Sequence, residues 1–320
     1  MGRDPRIVPP GSLQHVVDVM FQNRFLLRPS PELNTVVAGI IGCAQRRFHM
    51  EICAVAVLSS HLHLLVRPRD AAHLAAFMCF LKTNLSKAVA RLHGWHGPIF
   101  QGRYRSVTVS NEATDQVEAM RYVLSQGVKE GLVDRVSHWP GVHCGNAFKR
   151  GRSIEGFWKR PEEIVFSPLP CLRHLSDEAW QNEVTGWIRD IDREAAHHRR
   201  ETGTRSLGVK KILSAAPDFR PPEVKRSPKR RFHASDPKVR ASMRTLWRDL
   251  IRAYREASNR FRSGKASDAV AVIEKGLFPE GMFPPNLPFV PFSSSGFPPS
   301  AGAGAGAGLL GEFAARGRPS

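Results

Sequence analysis

The chain has 320 residues, with 47 lysines and arginines against 29 acidic residues and a formal net charge of +18. This excess predicts a polyanionic partner, although RNA and acidic membranes attract basic proteins as DNA does. No stretch approaches the length of a membrane span and the N-terminus has no apolar signal core, so we expect a cytoplasmic protein without a membrane partner. The five cysteines include no Cys-x-x-Cys pair, which argues against a disulfide framework or a zinc ribbon.

Hydrophobic periodicity predicts the elements of the first half of the chain. In chain order these are a strand over Leu13 to Phe21, a helix over Pro31 to Arg47, strands over Met50 to Leu58 and His61 to Val66, a long helix over Leu74 to Leu92 and a strand over Tyr104 to Val109. The order βαββαβ predicts an α+β, ferredoxin-like fold with an added helix. In that fold two helices cover one face of the sheet and the other face stays open.

Two histidines stand two residues apart in the predicted strand LSSHLHLLVRP. Strand alternation places His61, His63 and Leu65 on one face, while Leu62 and its alternate neighbours face the helices. Two imidazoles on one rigid strand form half of a metal site. Taken alone, such a pair is more often structural, so a functional interpretation needs a partner elsewhere in the sequence.

The segment NEATDQVEAMRYVLSQGVKEGLV supplies candidate partners. Apolar residues recur at helical spacing, and Gly127 and Gly131 are expected to end the helix. Tyr122 and Gln126 are four residues apart and would share a helix face. A tyrosine can act as a covalent nucleophile, and a glutamine oxygen suits a hard cation. The alternative is an exposed Tyr and Gln on an ordinary helix.

These residues resemble the single-tyrosine HUH transposases, meaning the insertion-sequence 200-like enzymes and especially the REP-associated tyrosine transposases. The stretches LHGWHGPIFQGRYRS and GLVDRVSHWPGVH strengthen the resemblance, which covers roughly residues 11 to 145. Ser60 departs from the Asn that many relatives carry before the first histidine. LSQGVKEG likewise departs from the commoner Asn-Pro form after the tyrosine.

The resemblance implies a function for each of these residues. A divalent metal, Mg²⁺ or Mn²⁺, would be bound by His61, His63 and Gln126, and Tyr122 would attack a phosphodiester in single-stranded, hairpin-forming DNA. A 5′-phosphotyrosine and a free 3′-hydroxyl would result. Relatives occur as monomers and as homodimers, and the sequence leaves that choice open. No Walker-type glycine loop is present, so a nucleotide cofactor is not expected.

Clustered basic residues predict the DNA contacts. Arg103 and Arg105 flank Tyr104, and the run from Arg220 to His233 mixes basic residues with prolines that prevent a regular helix. This run is interpreted as a phosphate-contacting arm or a basic linker. The predicted DNA-binding residues are Arg103, Arg105, Lys225, Arg226, Lys229, Arg230 and Arg231.

The sequence suggests three parts: a catalytic domain over residues 1–145, a basic helical accessory region over 146–277 that binds DNA, and a disordered Pro/Gly/Ala-rich tail over 278–320. Residues 146–170 are expected to be a loop-rich join. Apolar stripes predict one helix around Trp180 to Ile191 and another around Met243 to Tyr254, and LGVKKILSAAP predicts a short helix between them.

Three functions fit these patterns. The first is a transposase that cuts and rejoins single-stranded DNA through Tyr122. The second is a non-catalytic DNA- or RNA-binding descendant of the same fold. The third is a metal-dependent nuclease that uses bound water, with Tyr122 only structural. The effect of replacing Tyr122 distinguishes them.

Overall fold

The computed structural model describes residues 5–149, 151–222, 231–262 and 278–282. The first half contains, in chain order, β1 (Gln14–Val19), α1 (Pro31–Phe48), β2 (Glu51–Leu58), β3 (His61–Arg67), α2 (Ala71–His93), β4 (Arg105–Val109) and α3 (Ala113–Leu124). The four strands form an antiparallel sheet in the order β2-β3-β1-β4. This order confirms the predicted βαββαβ arrangement with an added helix.

Local capping explains the boundaries of the two long helices. Ser30 accepts a hydrogen bond from the Leu33 amide at the start of α1 (3.1 Å), and Asp70 accepts one from the His73 amide at the start of α2 (2.7 Å). Gly94 ends α2 in the left-handed conformation, with φ of 58°. The predicted extent of α1 is confirmed to within one residue, whereas α2 begins three residues before the predicted Leu74.

The two faces of β3 have different neighbours. Leu62, Leu64 and Val66 are buried in one apolar core that also contains the buried sides of α1 and α2. The opposite face carries the two histidines and is covered by α3, which packs on β2, β3 and β4. The face predicted to be open is thus the one on which the tyrosine helix docks.

The second half contains α4 (Cys144–Ala147), β5 (Ser153–Trp158), β6 (Arg160–Val165), α5 (Asp177–Thr202), α6 (Val209–Ser214), β7 (Phe232–His233) and α7 (Pro237–Arg262). Three of these helices match predicted helices. Trp180, Val184 and Ile188 of α5 join the same apolar core as the sheet. The division into catalytic and accessory parts remains a prediction, and the predicted tail lies outside the described residues after Met282.

The expectation of a loop-rich join over 146–170 is wrong, because this segment contains the hairpin β5–β6. The hairpin packs on α1 through glycines: a Cβ added to Gly39 would lie 2.4 Å from the Phe157 carbonyl carbon. Half of the hairpin residues are exposed, so the sequence lacks the apolar run of a buried strand. Gly156 and Pro161 are also residue types that are disfavoured inside strands. The backbone contact with α1 stabilises the hairpin, and no local sequence pattern indicates that contact.

The C-terminal elements extend the sheet. β7 pairs in parallel with β4, opposite Thr108 and Val109, and thereby becomes the edge strand. Helix α7 packs through Trp247 in a small apolar cluster with Ile7 and Met282, and Phe232 of β7 borders that cluster. Within the described ranges, no helix is long and apolar enough to cross a bilayer.

Candidate active site

The two histidines of β3 lie side by side on the sheet face beneath α3. Their ring centroids are 4.9 Å apart and the rings are nearly perpendicular. His63 is almost completely buried, with 4% of its surface exposed, and His61 is partly buried. The predicted sharing of one strand face is therefore observed.

A third histidine, His15 of β1, completes the cluster and was not predicted. The antiparallel register places His15 opposite Leu65, so it lies diagonally beside His63. The Nε2 atom of His15 is 2.9 Å from the Nδ1 atom of His63, and the two rings stack with centroids 5.2 Å apart. The available signal was the position of His15 in a predicted strand, but the register that brings it to His63 is not encoded locally.

Tyr122 projects from α3 over this cluster. Its ring centroid is 5.8 Å from that of His63 and 5.5 Å from that of His15, both edge-on. The residue is 42% exposed, so Tyr122 is accessible from outside. The Nζ atom of Lys129 lies 3.7 Å from the ring centroid, which places a cation against the same tyrosine.

Gln126 reaches the cluster, but not along a helix face as predicted. Helix α3 ends at Leu124, and Gln126 lies in the following turn. The chain turns there because Gly127 adopts φ of 87° and its amide donates to Glu130 Oε2. The buried Gln126 side chain donates from Nε2 to the Tyr122 carbonyl (2.8 Å), and its interaction with His61 acts to raise the pKa of that imidazole against the larger effect of burial.

Burial keeps the histidines neutral. It lowers the pKa of His15 and the pKa of His61 to about 4, and it holds the pKa of His63 well below its ordinary value. The charge of Lys129 adds to all three shifts. At neutral pH the imidazoles are therefore uncharged, which is the form that binds metals.

The arrangement of nitrogen atoms fits a divalent metal. The Nε2 atom of His63 is buried and has no hydrogen-bond partner among the described residues, while Nδ1 of the same ring contacts His15. On His61, Nδ1 lies 3.0 Å from Ser60 Oγ. A histidine that binds a metal through one ring nitrogen generally hydrogen-bonds through the other, and that hydrogen bond fixes the orientation of the ring. The Ser60 hydroxyl is therefore placed where it can fix the orientation of the His61 ring.

A second cluster of metal-type side chains lies against α3. Asp115, Glu118 and His233 place ligand atoms within 4.8 Å of one another. Their atoms are engaged within the protein: Glu118 Oε2 contacts His233 Nε2 (3.1 Å) and accepts from Ser235 Oγ (2.9 Å), and Asp115 Oδ1 accepts from the Ser235 amide (2.7 Å). We call Asp115, Glu118, His233 and Ser235 the latch, because they join the β7 segment to α3.

The predicted DNA-binding residues fall into two groups. Arg103 and Arg105 are exposed around the start of β4, and the charge of Arg105 contributes to the lowered pKa of His15. Tyr104, between them, lies away from the cluster beneath the Arg6 guanidinium, 3.6 Å from the ring centroid. Of the basic run, Arg231 is described and exposed, whereas Lys225, Arg226, Lys229 and Arg230 lie outside the described residues.

Comparison of sequences gives a family resemblance for the part of the chain that carries this site. Residues 14–126 match the family described as Transposase IS200 like. That part of the chain, which carries all three clustered histidines, Tyr122 and Gln126, is therefore similar to the IS200-like transposases. The family serves DNA transposition, as the resemblance in the sequence had implied.

Solved structures give a more distant likeness. A REP-associated tyrosine transposase bound to a REP hairpin is 22% identical, over 44% of this chain and 81% of that chain, with a TM-score of 0.36. An inferred transposase from Deinococcus radiodurans R1 is 18% identical, over 36% of this chain and 89% of its own, with a TM-score of 0.27. These scores are too low to support a conclusion about function. No curated protein sequence matches the chain.

Proposed function

We propose that the protein is a metal-dependent endonuclease and strand transferase that acts on single-stranded DNA through a phosphotyrosine at Tyr122. One observation supports this most strongly. The half-exposed Tyr122 lies over the neutral ring of His63, whose buried Nε2 atom has no protein partner in the described structure. Hairpin-forming strands are the proposed substrates, on the resemblance to the family.

The proposed reaction exchanges one ester for another. The Tyr122 oxygen, having lost its proton, attacks the scissile phosphorus, and the bond from phosphorus to the 3′-oxygen breaks. The leaving oxygen takes up a proton and becomes a 3′-hydroxyl, while the 5′-phosphate remains on the tyrosine. A different 3′-hydroxyl then attacks this phosphotyrosine, which rejoins the DNA and regenerates the phenol.

The protein groups act by position and charge. A divalent cation held by His61, His63 and Gln126 would supply Lewis-acid neutralisation of the phosphate. His15 contacts the Nδ1 atom of His63, and Ser60 contacts the Nδ1 atom of His61. These two contacts hold the rings of His61 and His63 in orientation. Lys129, against the Tyr122 ring, adds positive charge where the phenolate and the phosphate meet.

A covalent-adduct assay tests this proposal. Single strands tiled across the DNA that flanks the gene are incubated with Mg²⁺, Mn²⁺ or chelator, and adducts that resist denaturation are measured. We expect wild type and Tyr104→Phe to form a metal-dependent adduct and Tyr122→Phe to form none. Tyr104 is a matched control because its ring lies under Arg6, away from the histidines.

Two other results would replace the proposal. Cleavage that survives Tyr122→Phe and leaves no adduct would identify a hydrolytic nuclease. Binding of the strands without cleavage or attachment under any metal condition would identify a non-catalytic DNA- or RNA-binding descendant. Both are the alternatives that the sequence leaves open.

A further inference from the structure

Helix α7 concentrates positive charge. Its 26 residues include eight basic and two acidic side chains, a net excess of 8 − 2 = +6. Arg244, Arg248, Arg252 and Arg255 follow one another at intervals of four, four and three residues, so they lie on one side of the helix. All four are exposed, as charged side chains usually are.

These arginines line a groove with an apolar floor. The groove has a volume of about 630 Å³, and Phe232, Trp247 and Ile251 contribute its apolar surface. Glu256 is the acid among its lining residues, and Arg252 pairs with Asp249 within the helix (3.0 Å). Among the described residues, Arg244 and Arg255 have no acidic partner, so no described carboxylate neutralises their charge.

The groove is connected to the candidate active site through β7. Phe232 of that two-residue strand lines the groove, and the next residue, His233, belongs to the latch on α3. Glu118 of the latch stands one helical turn before Tyr122 on α3. The groove is therefore joined through β7 and the latch to the helix that carries Tyr122.

We propose that the arginine-lined groove of α7 binds single-stranded DNA that continues from the strand held at Tyr122. Guanidinium groups suit phosphates, and an apolar floor suits bases or sugars, which is the combination that binds single strands without sequence preference. This inference rests on the proposed function, since it assigns the groove to the same substrate. It also gives α7 a function apart from its apolar contact with the N-terminal segment.

The test compares two sets of three substitutions that remove equal charge. One set is Arg244→Gln, Arg248→Gln and Arg252→Gln in the groove. The control set is Arg189→Gln, Arg200→Gln and Lys210→Gln, all exposed on α5 and α6. Both are made in the full chain carrying Tyr122→Phe, and binding of a long fluorescent oligo(dT) is measured in chelator over a range of salt concentrations.

We expect the groove set to weaken binding by about 10- to 100-fold and to reduce the salt slope by about 2, or roughly 0.7 for each lost phosphate contact. The control set should change the slope by much less. A third set, Arg→Lys at positions 244, 248 and 252, keeps the charge and should bind nearly as wild type does. That set shows whether loss of binding reflects charge and not unfolding of α7.

Equal losses from the groove and control sets would overturn the inference, because they would reflect general charge and not a site. Unchanged binding by the groove set would overturn it as well. Because binding is measured without catalysis, the two proposals fail separately. If binding depends on the groove but the covalent-adduct assay finds no adduct, the proposal that the groove binds DNA stands and the proposal of a phosphotyrosine at Tyr122 fails.

Discussion

Two clusters of metal-type side chains lie against α3, and they differ in what their ligand atoms contact. In the latch, the oxygens of Asp115 and Glu118 accept hydrogen bonds from Ser110, Ser235 and the ring of His233. In the histidine cluster, His63 Nε2 is buried without a partner in the described structure. A buried polar atom without a partner costs free energy, so it is the stronger indication of a binding site.

Removal of one histidine from each cluster tests this comparison most strongly. We expect His63→Ala to lower Mn²⁺ affinity by more than about 100-fold, beyond the effect of losing a residue that only orients a ligand. We expect His233→Ala to leave the Mn²⁺ affinity of the histidine cluster within a few-fold of wild type. Calorimetric titration of the full chain with Mn²⁺ measures both, independently of any DNA reaction.

The latch variant should instead change stability. Loss of the contact between His233 and Glu118 is expected to lower the free energy of unfolding by about 1 kcal/mol, since Glu118 is half exposed. Urea denaturation of both variants without metal checks this value. The comparison fails if His233→Ala abolishes Mn²⁺ binding and His63→Ala does not, because the latch would then be the metal site.

The next largest effect is expected at His15, which contacts His63 but is not a predicted ligand. His15→Leu removes the 2.9 Å contact with His63 Nδ1, and Mn²⁺ affinity should fall about 10- to 100-fold. His15→Gln can restore a donor or acceptor near the position of Nε2 and should recover much of that loss. If His15→Leu binds Mn²⁺ as wild type does, the His15 contact does not orient His63.

The fate of each site residue shows what a sequence can reveal. His61 and His63 are two residues apart in a strand, and alternation alone places them on one face. His15 joins them only through the register between β1 and β3, which depends on the packing of the intervening helix α1 and strand β2. Long-range pairing of this kind leaves no local pattern, and the same holds for β7 and the latch.

Gln126 illustrates a different limit. Its spacing from Tyr122 made it a predicted ligand, which stays a prediction, and the expected shared helix face was wrong. The helix stops at Leu124, and Gly127 with positive φ turns the chain so that the amide still reaches His61. Helix ends are set by such local backbone conformations, which periodicity does not resolve. The apolar stripes of α1, α2 and α5 were reliable because they record burial along a whole helix.

The smallest of the three effects is expected at Lys129, which lies against the Tyr122 ring without contacting a predicted ligand in the described structure. Lys129→Met removes a charge 3.7 Å from the ring centroid, and adduct formation should slow by about 10-fold through loss of electrostatic stabilisation. Lys129→Arg keeps the charge and should retain most of the rate. Single-turnover adduct kinetics with saturating DNA measure this effect apart from binding.

Lys159→Met is the matched control, because Lys159 also lies over an aromatic ring, 4.8 Å from the centroid of Trp158, but on the hairpin remote in sequence from the histidines. It should leave the rate unchanged. Equal slowing by both variants would mean that loss of a lysine acts through stability or general charge. A rate that is unchanged by Lys129→Met would mean that Lys129 does not assist the reaction. The catalytic groups around Tyr122 would then be limited to the histidine cluster and Gln126.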